Sequence, residues 1–479
     1  MRKENTKMFI TLGPAINNKT TLLKMLSLGV DGFRINFSHG TLAEHTEIVK
    51  ILNEIRRETE YSFALMGDLQ GPKIRLGEVE PQILKKNQKI KLSQNANFTD
   101  GLHVNYNNFL NLLKVGHMLY INDGLVKLKV TSIKKNFAEA IVLTSGPISS
   151  HKGINIPDVR SRFPVLDKKD LTDLAFLVSN NFDYVALSFV RGHKDLIYLQ
   201  KKINTLTQNP ENIKIIAKIE KPEAVKDIDN IFPLCDGVIV ARGDLGIEME
   251  LDTVTLVQKE IALKGFEFNK PVMTATQMLE SMINNALPTR AEVADITNAV
   301  LDGCDALLLT GETSIGKHPI EAVKFMKKII TKIEKSHFYT TSVASKISFH
   351  IEKTTIAKSI GYSIYNMVQT LDHVKAIVAY TFSGFTALSI SKYQPNIPIL
   401  GLSPNEKTLN FLNLYNGVEP AYFPFKEYFS ELVEEAEELI LKKKIAKKGD
   451  TIIITAGHPL QKRGITNLIK IHTIEQKRK

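Results

Sequence analysis

Short, continuous apolar runs alternate with longer segments whose apolar positions recur every three or four residues through much of the 479-residue chain. MFITL precedes NKTTLLKMLSLG, GFRINFS precedes TLAEHTEIVKILNEIRRE, and SFALMGDL closes a first block. After an interruption the alternation resumes with DKKDLTDLAFLVSNN before YVALSFV and GHKDLIYLQKKINTL before KIIAKIE. KPEAVKDIDNIFPLC then precedes GVIVARGDLG, and VTLVQKEIALKGFEFN precedes PVMTATQML. TRAEVADITNAVLDG before ALLLTGET, and a closing PIEAVKFMKKIITKIEKS, complete the series. Apolar runs between amphipathic helices indicate parallel strands covered on both faces. Eight such units close as a (β/α)8 barrel, with functional groups at the C-terminal ends of the strands. The rival, a doubly wound open sheet, would leave units over, since it uses about six strands.

The interruption, residues 73–157, reads differently. KIKLSQ, HMLYIND, LVKLKVTSIKK and FAEAIVLTSG alternate or carry β-branched residues, with turn residues between them. An all-β unit, expected as a small β-barrel, is thus inserted after the third barrel strand. The expected organisation is barrel over 1–72 and 158–338, insert over 73–157, and a separate α/β domain over 339–479. That last domain is read from TTIAKSIGYSIYNMVQTL, KAIVAYT, IPILGLS, LVEEAEELILKKKIA and TIIITAG.

Composition narrows the setting. The chain is 43% hydrophobic and 24% charged, ordinary for a globular protein, and no apolar run approaches the roughly 20 residues needed to cross a bilayer. The start, MRKENTKMFITLGPA, passes from a basic tip straight into a strand, without the apolar region of a leader. Cys235 and Cys304 lack metal-type spacing and suit a reducing cytoplasm. A net charge of +11 raises a nucleic-acid role, but much lysine is interleaved with Glu and Asp, and no aromatic-interleaved basic motif occurs. Anionic small molecules are the better-matched partners.

Candidate chemistry lies at the strand ends. In KIIAKIE, Lys218 and Glu220 are two residues apart, which places both side chains on one side, here the barrel mouth. VARGDLG brings Asp244 to the neighbouring loop. Two carboxylates from adjacent strand ends suit a hard divalent cation such as Mg2+, and the compact Lys218 ammonium suits phosphoryl or enolate oxygens. The same spacing also fits a structural ion pair within the barrel layers. The glycines of ARGDLG suggest a tight turn whose N–H groups can hold a carboxylate, or a plain turn.

GFRINFSHG sets Arg34, Asn36 and Ser38 at alternate positions, with His39 just beyond; a guanidinium facing the mouth is a phosphate anchor. GDLQGPKIR puts Asp68, Lys73 and Arg75 at the junction with the insert, either a nucleotide-phosphate site or a solvated hinge. Thr276, in PVMTATQMLESM, offers a hydroxyl at the seventh strand's end, and TGET, Thr310 to Thr313, ends the eighth as a loop and helix cap.

Taken together, TLGPA, RINFSHG, GDLQGPKIR, INDG, HKGINIP, SFVR, KIE, VARGDLG, TATQMLESM, PTRAEVADITNAVLDG and TGET resemble pyruvate kinases, in order and over nearly the whole chain. The resemblance implies phosphoryl transfer from phosphoenolpyruvate to ADP, giving pyruvate and ATP, with the β insert closing as a lid over the barrel. It implies that Lys218 stabilises the transferring phosphoryl and the enolate, and that Glu220 and Asp244 hold Mg2+ (or Mn2+). Arg34 would anchor the phosphoryl group, with Ala241, Gly243, Asp244 and Thr276 around the carboxylate and Thr276 on the path of the enolate's proton. His39, Arg75 and Lys152 would meet nucleotide phosphates, and Asp123 of the lid would approach the site.

Two positions depart from many family members: Lys73 stands where they carry Glu, and Leu69 where they carry Thr. This pair resembles the potassium-independent branch, in which the lysine takes the place of K+ beside Asn36, Ser38 and Asp68. In the C-terminal domain, TFSGFTA (Thr381, Ser383, Gly384, Thr386) resembles the family's effector-phosphate loop, with Lys462 and Arg463 as further candidates; a plain strand–helix turn is the alternative. A phosphorylated allosteric effector, a homotetramer and a cytoplasmic location are implied by the same likeness. A different barrel enzyme acting on phosphoenolpyruvate or pyruvate, such as an aldolase or mutase, would share the Lys/Glu/Asp chemistry but need neither lid nor ADP. A scaffold on this fold would be expected to have lost Lys218, Glu220 or Asp244.

Overall fold

In the computed structural model, which describes residues 4–157, 159, 163–349, 355–460 and 464–475, eight parallel strands close into a barrel. They are β1 (Lys7–Thr11), β2 (Gly32–Asn36), β3 (Ala64–Asp68), β4 (Tyr184–Leu187), β5 (Lys214–Ile219), β6 (Gly237–Ala241), β7 (Val272–Ala275) and β8 (Ala306–Leu309). Neighbours in sequence are neighbours in the barrel, and β8 closes it by pairing Ala306–Leu309 with Lys7–Ile10.

The continuous apolar runs follow from burial on both faces. Phe9, Met66, Ile216 and Met273 belong to one core cluster, while the alternate residues Met8, Ile10, Leu65 and Ala217 pack in the shell that contains the helices. Gly32 is required by this filling, since a Cβ there would lie 2.2 Å from the Phe9 ring. Helices begin where the sequence supplies caps: Thr41 with Glu44, Asp167 with Asp170 and Thr289 with Glu292 each form a reciprocal capping box.

Between β3 and β4 lies a seven-stranded, largely antiparallel sheet from Ile74–Arg75 to Gly153–Asn155, with its own core of Leu76, Leu92, Leu119 and Leu128. A separate ribbon pairs Gln82–Leu84 with Gly146–Ile148. The small β-barrel expected here takes the form of this sheet and ribbon.

The C-terminal domain holds a five-stranded sheet of β9 (Val374–Tyr380), β10 (Ile399–Ser403), β11 (Val418–Tyr422), β12 (Thr451–Ala456) and β13 (Leu468–Thr473). Its order is β11-β10-β9-β12-β13, with only β13 antiparallel. The domain docks on the N-terminal end of the barrel, through Lys392 to Asp305 at 2.7 Å and Lys7 Nζ to the Val418 carbonyl at 2.6 Å. The C-terminal end is left for chemistry. Among the described residues, no helix is long and apolar enough to cross a membrane.

Candidate active site

At the C-terminal rim, side chains from five adjacent strands converge on one ammonium group. Lys218 Nζ, on β5, donates to Ser188 Oγ at 2.8 Å and lies 2.8 Å from Glu220 Oε1 and 3.1 Å from Asp68 Oδ2. Asp68, at the end of β3, also receives Arg34 Nε at 2.7 Å on Oδ2 and Ser188 Oγ at 3.0 Å on Oδ1. Arg34, on β2, is steadied by Thr11 Oγ1 of β1 at 3.0 Å. Burial alone would favour the neutral forms, but the opposite charges outweigh it. Lys218 is held above the ordinary lysine range by Asp68 and Glu220, and Asp68 below the ordinary carboxylate range by Lys218 and Arg34. Burial raises the Glu220 carboxyl, and the nearby Lys218 offsets this only in part.

Asp244 follows β6 in the short helix Arg242–Glu248. Its neighbour Gly243 donates its N–H to Thr276 Oγ1 at 2.7 Å, and a Cβ on Gly243 would stand 3.2 Å from that same oxygen. Thr276 has φ +67°, an unfavourable region for a β-branched residue. It is kept there by Arg242, whose guanidinium takes the Thr276 carbonyl at 2.9 Å and pairs with Asp295. Ala241, Gly243, Asp244 and Thr276 are thereby brought to one side of the mouth, with Lys218 and Glu220 on the neighbouring strand.

Glu220 and Asp244 are the carboxylates placed to hold a divalent ion. Glu220 Oε2 accepts the Phe189 N–H at 2.7 Å, while its buried Oε1 makes no hydrogen bond beyond the ion pair with Lys218. Among the described residues no group of three His, Cys, Asp or Glu can hold a metal. A pair of oxygen donors fits an ion such as Mg2+, which keeps several positions for water and substrate.

The other candidates divide. Asn36 and Asp68 are paired in register on β2 and β3, Ser38 donates its N–H to Asn36 Oδ1 at 3.1 Å, and Leu69 is fully buried. Lys73 is not with them. Its ammonium lies 3.6 Å from Asp244 Oδ1 and 3.7 Å from Asp123 Oδ1 of the insert, not within ion-pair distance of Asp68. This corrects the expectation that it substitutes for a cation beside Asp68: that carboxylate is already paired with Arg34 and Lys218. Burial, with the charges of Arg75, Arg34 and Lys169, lowers the His39 pKa. Arg75 pairs across the sheet with Gly153, next to Lys152, and donates to the His151 carbonyl at 3.1 Å.

In the TFSGFTA loop, Gly384 has φ +87° and its N–H donates to Thr381 Oγ1 at 3.0 Å. Thr381 and Thr386 are buried, Thr386 Oγ1 pairs with Thr466 Oγ1 at 2.8 Å, and Ser383 alone of the loop's hydroxyls is exposed. Lys462 and Arg463 lie outside the described residues.

Sequence reasoning missed Ser188, the residue that joins Lys218 to Asp68. Its signal was the position of SFVR immediately after an apolar strand. It also missed the tether of the insert: Asn155 Nδ2 donates to Glu248 Oε1 at 2.7 Å, where Lys221 Nζ also arrives at 2.5 Å. The base of the insert is thus tied to the helix bearing Asp244 and to the residue after Glu220.

The chain is similar to known proteins over nearly its whole length. Residues 3–323 match the family described as the pyruvate kinase barrel domain, and residues 358–472 its alpha/beta domain. A pyruvate kinase of Geobacillus stearothermophilus is 36% identical over 480 residues, covering 98% of this chain and 81% of the relative. One from Staphylococcus aureus is 35% identical, covering 99% and 81%. The crystal structure of a pyruvate kinase from Cryptosporidium parvum superposes with a TM-score of 0.90 at 31% identity, covering 98% of this chain and 96% of that one.

Proposed function

The chain belongs to the pyruvate kinase family, and from that premise we propose how its own residues carry phosphoryl from phosphoenolpyruvate to ADP. The observation that supports the reading best is the Lys218 ammonium held by Ser188, Asp68 and Glu220 at the barrel mouth. Phosphoryl transfer depends on positioning and charge neutralisation more than on covalent catalysis. Arg34 anchors the phosphoryl oxygens, and Lys218 faces the charge that moves from the phosphoryl group onto the enolate oxygen. Ser188 and Asp68 fix that ammonium in place before substrate arrives, so no reorganisation is required during the reaction. Ala241, Gly243, Asp244 and Thr276 bound the substrate carboxylate, and the Thr276 hydroxyl lies on the route by which the enolate carbon gains its proton. His39, Arg75 and Lys152 receive the nucleotide phosphates.

Mg2+ on Glu220 and Asp244 would supply Lewis-acid neutralisation of substrate oxygens. The residues named above bind, orient and exclude water around it. The β insert, with Asp123 facing Lys73, acts as the lid.

Activity without K+ is part of the proposal, on revised grounds. Arg34, Lys73, Arg75 and Lys218 are fixed cations around Asp68, Glu220 and Asp244, so the site carries its own positive charge. In a lactate-dehydrogenase-coupled assay with phosphoenolpyruvate and ADP, turnover in a tetramethylammonium buffer is expected to match that in K+. Near-zero turnover restored by K+ would refute the K+ independence; no ADP-dependent turnover in either buffer would refute the kinase reading.

The TFSGFTA loop is proposed as the site of a phosphorylated effector. Its expected effect is a lower apparent KM for phosphoenolpyruvate, lost in Ser383→Ala/Thr386→Ala. Activation unchanged in that double variant would place the effector elsewhere. A cytoplasmic homotetramer is the proposed working form, for which sedimentation is expected to return the mass of four chains; a monomer would exclude it.

A further inference from the structure

The turn that leaves β4 is strained at Phe189, whose φ of +54° is a left-handed conformation costly for a bulky side chain. The strain has a visible product on either side of the Ser188–Phe189 peptide. The Phe189 N–H donates to Glu220 Oε2 at 2.7 Å, while the Ser188 hydroxyl joins Lys218 to Asp68. The turn closes against Gly71, where a Cβ would lie 3.1 Å from the Phe189 ring and 3.2 Å from Ser188 Cβ. One oxygen of Glu220 is thereby fixed by backbone, and the other faces Lys218.

The ring of the same residue gathers cations. Lys73 Nζ lies 5.6 Å from its centroid and Lys221 Nζ 6.0 Å, both within reach of cation–π attraction. The two lysine side chains are only 16% and 17% exposed, so water screens this attraction in part. Lys221 is anchored on Glu248 at 2.5 Å. Lys73 has no such short contact among the described residues: its ammonium stands 3.6 Å from Asp244 and 3.7 Å from Asp123, longer than a hydrogen bond to either. Its stem runs across Gly153 of the insert, where a Cβ would lie 2.4 Å from Lys73 Cε. Gly153 and the Phe189 ring thus suspend the ammonium between lid and barrel. Fully seated on Asp244, it would occupy an oxygen that a divalent ion needs and repel the ion's charge.

We propose that Phe189 is a positioning residue of the metal site: its backbone fixes Glu220, and its ring keeps the Lys73 ammonium from closing onto Asp244. The inference rests on the reading of Glu220 and Asp244 as the divalent-ion ligands, and adds the residue that keeps both available. A cavity of about 40 Å3 lies beside the ring, lined also by Ile74, Ile154, Asn155 and Lys221. The ring therefore sits where the barrel meets the base of the insert.

Mn2+ binding to the full chain, followed by loss of the free ion's electron paramagnetic resonance signal, reads the site without turnover. Phe189→Leu keeps the backbone N–H and an apolar side chain but removes the aromatic face. It is expected to raise the Mn2+ Kd about tenfold. In a Lys73→Met background, where no ammonium is left to restrain, the same change is expected to shift Kd by less than about twofold. A ring that only packs would lower the melting temperature and leave Kd unmoved; that result overturns the proposal, as does an equal Kd shift with and without Lys73. Phe189→Met, closer in volume, takes the place of the leucine variant should that protein unfold at the assay temperature. Glu220→Gln separates the two readings. If it weakens Mn2+ binding and Phe189→Leu does not, this proposal falls and the metal reading stands. If Glu220→Gln binds Mn2+ as the unaltered protein does, the metal reading falls and this proposal with it.

Discussion

Lys218→Met lowers kcat roughly a hundred- to a thousandfold, with the KM for phosphoenolpyruvate little changed. The ammonium is surrounded by oxygens and largely shielded from water, with its side chain 11% exposed, so its charge acts at low effective dielectric. Methionine matches the stem's length but brings no charge to the developing enolate. Ser188→Ala should act in the same direction and more weakly, about tenfold, because Asp68 and Glu220 still hold the lysine. The coupled assay reads both, with thermal melting as the control for folding. A fully active Lys218→Met protein would remove this residue from the mechanism. A Ser188→Ala protein with unaltered kcat would make that hydroxyl a packing group.

The largest expected effect on stability lies at the other end of the barrel. Asp183 is completely buried and accepts from Arg56 and the Leu65 N–H on one oxygen, and from Lys407 and Asn410 on the other. Burial by itself would raise its pKa, but the charges of Arg56 and Lys407 outweigh that and hold it below the ordinary carboxylate range. Asp183→Ala leaves two cations facing each other across the domain junction, at a cost of about 3 kcal/mol. The Arg56 and Lys407 side chains are 20% and 19% exposed, so the low end of the range for buried pairs applies. A folded-state pKa depressed below the unfolded value of about 3.9 gives a contribution that is fully present above that pH. It is lost as pH falls through the folded value. The gap in urea stability between wild type and Asp183→Ala should therefore be constant near neutrality and shrink only below about pH 4. Equal stabilities at pH 7 would show that the Asp183 contacts carry no net energy.

What the chain determines locally was legible in its residues. The barrel strands could be read because burial on both faces forces continuous apolar runs, and the helices because capping boxes such as Thr41 with Glu44 mark their starts. The convergence of Lys218 and Glu220 followed from a period of two on one strand, and the approach of Asp244 from strand succession around a closed barrel. These inferences need only neighbours in sequence or in strand order.

Other features depend on where long side chains end, and on contacts between elements far apart in the chain. Lys73 swings to Asp244 and Asp123 because Arg34 and Lys218 already neutralise Asp68, a competition among charges that spacing cannot express. Ser188 is a common residue in a short motif, and only the barrel's closure sets its hydroxyl between Lys218 and Asp68. The Thr386 hydroxyl is paired with that of Thr466, 80 residues later in the chain. The contacts of Asp183 with Arg56 and Lys407 arise from the docking of two domains, so no local pattern announces them. Periodicity sets which face a side chain takes, because backbone geometry repeats; which partner it meets there is decided by packing and electrostatics in three dimensions.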